Sequence, residues 1–119
     1  MSTAFEEIDL HALASMPLEQ VDSLPFGVVG LDAASMVVVY NEAEARMAGL
    51  DRDSVIGVPF FDAVAQCMNN FMVAQRFEDE VELDEIVPYV LTLRMRPTRA
   101  RLRLLASPGA PLNYILIER

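Results

Sequence analysis

From Val87 to Ala106 apolar and polar residues alternate with period two. Val87, Tyr89, Leu91, Leu93 and Met95 alternate with Pro88, Val90, Thr92, Arg94 and Arg96; after Pro97, Ala100, Leu102 and Leu104 oppose Arg99, Arg101 and Arg103. Successive side chains of a strand point to opposite faces, so the pattern predicts two long strands with one apolar and one polar face. Strands of that kind belong to an antiparallel sheet covered on one side. A further strand, LNYILIE, follows the turn Ser107-Pro108-Gly109-Ala110-Pro111. Near the other end, FGVVGL (26–31) and MVVVY (36–40) flank Asp32-Ala33-Ala34-Ser35 and predict a hairpin. Between the two groups of strands lie several short helical stretches. The expected class is α+β, with a five-stranded antiparallel sheet and helices gathered on one face.

Ahead of the hairpin, residues 1–24 carry Phe5, Ile8, Leu10, Leu13, Met16, Leu18, Val21 and Leu24 at spacings mostly of two to four. One or two short amphipathic helices divided by Pro17 are expected there, lying as a flap against the main domain. His11, the only histidine, sits on this flap and reads as a surface residue. Asn41 is a good N-cap for the helix EAEARMA, with Glu44 in the position of a capping-box partner and Gly49 closing the helix. A second turn of helix, DRDSVIG, ends at Gly57; FFDAVAQC reads as a short apolar helix or loop. NNFMVAQRFEDE (69–80) reads as a helix that buries Phe71, Met72, Val73 and Phe77, and the acidic run from Glu78 to Glu85 as a solvated connector.

The charge balance excludes several functions. Net charge is −9, there is no lysine, and all nine basic residues are arginine. Phosphate backbones and anionic membrane surfaces require a cationic face, so neither nucleic acid nor membrane is an expected partner. Five of the arginines fall between 94 and 103. They read as a solvated sheet face, with a docking patch for an acidic partner as the alternative. No apolar run approaches the ~20 residues of a membrane span, and the acidic N-terminus carries no secretory pattern. A single cysteine fits a reducing compartment, so the cytoplasm is the expected location.

The chemistry-bearing residues concentrate between Tyr40 and Cys67. Taken singly, each has a plain structural reading: Tyr40 packs its ring at a strand end, Glu44 caps a helix, and Cys67 is a small core residue. One histidine, far away on the flap, makes a Cys–His nucleophile pair unattractive, and one cysteine with one histidine is too few for zinc. An enzyme is therefore not expected. Taken jointly, Tyr-Asn-x-x-Glu (40–44) and Phe-Phe-x-x-Val-Ala-x-Cys (60–67) form a specific combination.

That combination, with PFGVVGLD (25–32), Gly49, Val55 to Val58 and MRPT (95–98), resembles the photoactive yellow protein family, small blue-light sensors of the PAS superfamily. The resemblance covers essentially the whole chain. It implies a helical cap over 1–24 and a PAS core over 25–119. It further implies p-coumaric acid (4-hydroxycinnamic acid) held as a thioester on Cys67, with its phenolate accepting hydrogen bonds from Tyr40 and Glu44. Glu44 would be the proton donor after trans–cis isomerisation. Phe60 and Tyr89 would line the pocket, and Met95 would assist return to the dark isomer. Partial opening, especially of the cap, would signal to a downstream protein, the chain itself being a monomer or weak dimer. Ala48, Leu50 and Gln66 stand where the family usually has threonine, arginine and proline. The alternatives are a PAS module that binds another ligand non-covalently or only mediates protein contacts, and a thiol enzyme.

Overall fold

A computed structural model describes residues 3–92 and 97–119. Three short helices, α1 (Thr3–Glu7), α2 (Leu10–Ser15) and α3 (Leu18–Asp22), precede the hairpin β1 (Gly27–Leu31) and β2 (Val37–Tyr40). Next come α4 (Glu42–Ala48) and α5 (Arg52–Val55), a π-helical turn (Phe60–Val64), a 3-10 turn (Gln66–Met68) and α6 (Ala74–Asp79). The long strands β3 (Leu83–Leu91) and β4 (Thr98–Ala106) and then β5 (Asn113–Glu118) close the sheet. The strand order is β2-β1-β5-β4-β3, with every neighbouring pair antiparallel. Among the described residues no helix is long and apolar enough to cross a membrane.

Local chemistry explains the elements that position the site. The hairpin turn is closed by Asp32, whose Oδ1 accepts from the amides of Ala34 (2.9 Å) and Met36 (3.0 Å). Asn41 starts α4: its Oδ1 accepts from the Glu44 amide at 3.1 Å and from the Val28 amide at 2.9 Å, tying the helix start to β1. Gly49 ends the helix at φ 71°, the left-handed conformation a side chain disfavours.

Strand alternation sorts the core into two clusters, one on each face of the sheet. Val29, Leu31, Leu102, Leu104, Ile115 and Ile117 face α4, the cysteine turn and α6, together with Tyr40 and Phe60. On the opposite face Val28, Leu105, Tyr114 and Leu116 pack against Phe5, Leu10, Leu13 and Val21 of the N-terminal helices. The sheet is therefore covered on both sides over β1, β5 and β4.

This second layer corrects the reading of the arginine run as a solvated face. Arg103 is buried; its Nε and Nη2 bond both Asp84 oxygens (2.9 and 3.1 Å), and its Nη1 donates to the carbonyls of Phe5 (3.0 Å) and Ile8. Arg101 binds Glu118, reaches Glu6 at 3.1 Å and lies 5.0 Å over the Phe5 ring. Only Arg99 of the described members is exposed. Arg94 and Arg96 lie outside the described residues.

The helix expected over 69–80 is shorter, starting at Ala74. The Asn70 Oδ1 accepts from the Met72 and Val73 amides (3.0 and 3.2 Å), so a side-chain-closed turn replaces the first helical turn. Val73 is buried as expected, whereas Phe71 (78% exposed) and Met72 are turned outward.

Candidate functional site

Two groups of residues flank the core on the α4 face of the sheet. The first surrounds Cys67, which is free, half-buried and packed against the cluster that contains Tyr40 and Phe60. Phe60 is buried and meets Phe61 edge-on at 5.2 Å, which fixes the turn entering the cysteine segment. The Tyr89 hydroxyl, reaching over from β3, donates to the Cys67 carbonyl. Asn70 Nδ2 donates to the Tyr89 oxygen at 2.7 Å and to the Cys67 carbonyl at 3.2 Å. This triangle holds the cysteine backbone from two elements while the thiol itself stays unbonded by any disulfide.

The second group is Tyr40, Glu44 and Arg119. Glu44 is 1% exposed, and its two oxygens accept from Arg119 Nη1 (2.7 Å) and Nη2 (3.1 Å) in a fork-to-fork pair. Burial pushes the Glu44 carboxyl above its ordinary range, and the Arg119 guanidinium pulls against that shift. Tyr40 is buried beside them. Burial, then the Glu44 charge, raise its pKa, with Arg119 opposing. Among the described residues nothing hydrogen-bonds the Tyr40 hydroxyl, an orphaned polar group that a buried site does not normally tolerate.

The capping reading of Glu44 is half met. Its amide is capped by Asn41, but the return arm is absent: the Asn41 amide donates to the Val28 carbonyl at 3.1 Å, and the Glu44 side chain turns to Arg119. Room for that turn comes from Gly27 on β1, where a Cβ would stand 2.2 Å from Glu44 Oε1. Arg52 contributes no charge here; it pairs at the surface with Asp22 (3.0 Å) and Glu42 (3.5 Å). Ala48 is buried and Leu50 is exposed. Met95 lies outside the described residues.

Sequence reasoning passed over Gly27, Asn70 and Arg119. For Arg119 a signal existed. Period-two alternation carries Asn113, Ile115 and Ile117 onward to Arg119 on the α4 face, as it carries Tyr114, Leu116 and Glu118 on the other. Its partner, 75 positions earlier, was not readable from that pattern.

A mixed fold with a five-stranded antiparallel sheet in this order, wrapped by short helices, defines a PAS domain, and the sequence matches the PAS fold over residues 15–102. Over 92% of its length the chain is 35% identical to the photoactive yellow protein of Halochromatium salexigens and 30% identical to that of Rhodothalassium salexigens, covering 90% of each. The crystal structure of the photoactive yellow protein domain from the sensor histidine kinase Ppr of Rhodospirillum centenum is 28% identical. It superposes with a TM-score of 0.83, over 92% of this chain and 98% of that one. The chain belongs to the photoactive yellow protein family.

Proposed function

We propose that this chain is a blue-light photoreceptor that carries p-coumaric acid as a thioester on Cys67. The observation that carries the reading is the buried Tyr40 hydroxyl with no protein partner among the described residues, beside the buried Glu44 carboxyl. A phenolate offered to that corner would satisfy the tyrosine, which donates; without such donors a buried anion loses its hydration uncompensated. The residues fit the group at its other end too: a free thiol on a turn anchored by Tyr89 and Asn70 is a fixed attachment point.

When bound, the group supplies visible absorption and a double bond that isomerises in light. The chain supplies the rest. Cys67 holds the acyl carbon: its thiol proton leaves with the leaving group of an activated ester as the S–C bond forms. Tyr40 donates to the phenolate oxygen and orients it. Glu44 holds the second proton in a site whose burial favours the neutral acid. Phe60 and Tyr89 wall the pocket, and Met95 assists dark recovery. Loss of the Glu44 proton would place a charge in the buried corner and take away the acceptor that satisfied Tyr40. Even with Arg119 beside it, burying charge costs several kcal/mol per ion, to be set against a whole-domain stability of ~5–15 kcal/mol. Detachment of the N-terminal helices is the proposed output to a downstream signalling partner.

Attachment is tested by incubating the purified protein with an activated p-coumaroyl ester. The intact mass is expected to rise by one p-coumaroyl unit with a visible band, and Cys67→Ala to lose both. A coloured alanine variant, or an unmodified colourless wild type, would refute the covalent reading.

A further inference from the structure

We propose that Arg119 is the counter-ion of Glu44, holding it as a carboxylate in the chromophore-free chain and balancing the charge left whenever Glu44 gives up its proton. The first half stands on geometry. Both Glu44 oxygens accept from the guanidinium, at 2.7 and 3.1 Å. Arginine offers donors only, so both bonds are strongest to an ionised carboxylate, and protonation would weaken the one at the oxygen that takes the proton. The pair is largely withdrawn from water, the side chains being 10% and 2% exposed, so solvent screens it far less than a surface pair.

Each part of the chain around the pair is arranged for this contact. Alternation along β5 puts Arg119 on the α4 face, and the missing side chain of Gly27 lets Glu44 Oε1 approach the sheet. Among the described residues, Arg119 from the end of β5 acts on Glu44, and both act on Tyr40 of β2; Arg46 of α4 and Glu118 of β5 line the same cleft as Gly27 and Arg119. Among the described residues no other arginine pairs with Glu44.

The second half rests on the photosensor reading. There Glu44 would have taken the proton that the chromophore's phenol gives up on binding. On illumination that O–H bond would break, the proton would form a new O–H bond at the phenolate oxygen, and Glu44 would keep the electron pair and the negative charge. Arg119 then meets that charge with a fork already formed in the chromophore-free chain. The buried carboxylate of this protein is therefore paired, and its lifetime depends on Arg119.

Infrared spectra of the chromophore-free protein in neutral buffer, referenced to Glu44→Gln, locate the carbonyl stretch of a protonated Glu44. Wild type is expected to lack that band, Arg119→Gln to gain it while keeping a folded circular dichroism spectrum, and Arg119→Lys to lose it again. A band already present in wild type, or none in folded Arg119→Gln, overturns the proposal. Should Arg119→Gln fail to fold, the Glu44 carboxyl carbon shift in wild type decides: an ionised value supports the pairing and a protonated value overturns it. In loaded protein Arg119→Gln is expected to shorten the lifetime of deprotonated Glu44 after a flash, and an unchanged lifetime overturns the second half. A wild type that takes up no chromophore refutes the photosensor reading and the second half together, while the chromophore-free spectra still judge the first.

Discussion

At the scale of single residues, Gly27 and Glu44 are one decision made at two positions. A Cβ at residue 27 would stand 2.2 Å from Glu44 Oε1, closer than non-bonded atoms approach, and 3.1 Å from its Cβ, a tight contact. Gly27→Ala must therefore swing the carboxyl away from Arg119 and break a buried pair. Such breakage costs about 3–5 kcal/mol when the remaining charge stays buried, and less if Glu44 then takes up a proton. Urea unfolding of Gly27→Ala should show a loss well beyond the ±0.5 kcal/mol typical of neutral surface changes. A variant within that margin of wild type would mean that Glu44 has another resting place.

At the scale of elements, the N-terminal helices are held by tertiary contacts. They span five, six and five residues, below the ~12–15 at which an isolated helix becomes even marginal. Their structure depends on the apolar contacts of Phe5, Leu10, Leu13 and Val21, and on the two arginines of β4 that reach across to them. Arg103→Gln removes the Asp84 fork and leaves the Phe5 and Ile8 carbonyls without their donor, a loss of about 1–3 kcal/mol. Hydrogen exchange over residues 4–22 should accelerate in Arg103→Gln while the amides of α4 keep their protection. Arg99→Gln, on an exposed side chain, should change neither. Equal exchange of the N-terminal helices in the two variants would show that the arginine run is the solvated face after all.

At the scale of the whole molecule, the buried carboxyl enters the pH dependence of stability. Burial raises the Glu44 pKa in the folded state, so between the unfolded and folded values the folded chain binds more protons. Its contribution is fully present below the unfolded carboxyl pKa of about 4.3 and is lost as pH rises through the folded value. Unfolding free energy measured across that range should therefore fall more steeply for wild type than for Glu44→Gln, whose side chain does not titrate. Parallel curves would mean that Arg119 cancels the burial effect completely. The end of β5 is shared by both faces of the molecule. Glu118 binds Arg101, which holds Glu6 and Phe5, while the adjoining Arg119 binds Glu44.

The sequence alone determined the sheet and the helix that carries Glu44. Alternation from Val87 to Ala106, the Asp32 turn and the Asn41-to-Gly49 caps are local patterns whose period and chemistry admit few backbones. It also brought Tyr40, Phe60 and Cys67 to notice, because their motifs lie within one short stretch. Partners were another matter. Arg103 meets the Phe5 carbonyl across 98 positions and Arg119 meets Glu44 across 75, and alternation says which face a side chain takes without saying what covers that face. The arginines of β4 looked solvated because a polar stripe on a strand and a stripe of tethers have the same period. Only the packing of the N-terminal helices onto the second face of the sheet decided between them, by removing water from Arg103 and supplying carbonyls in its place.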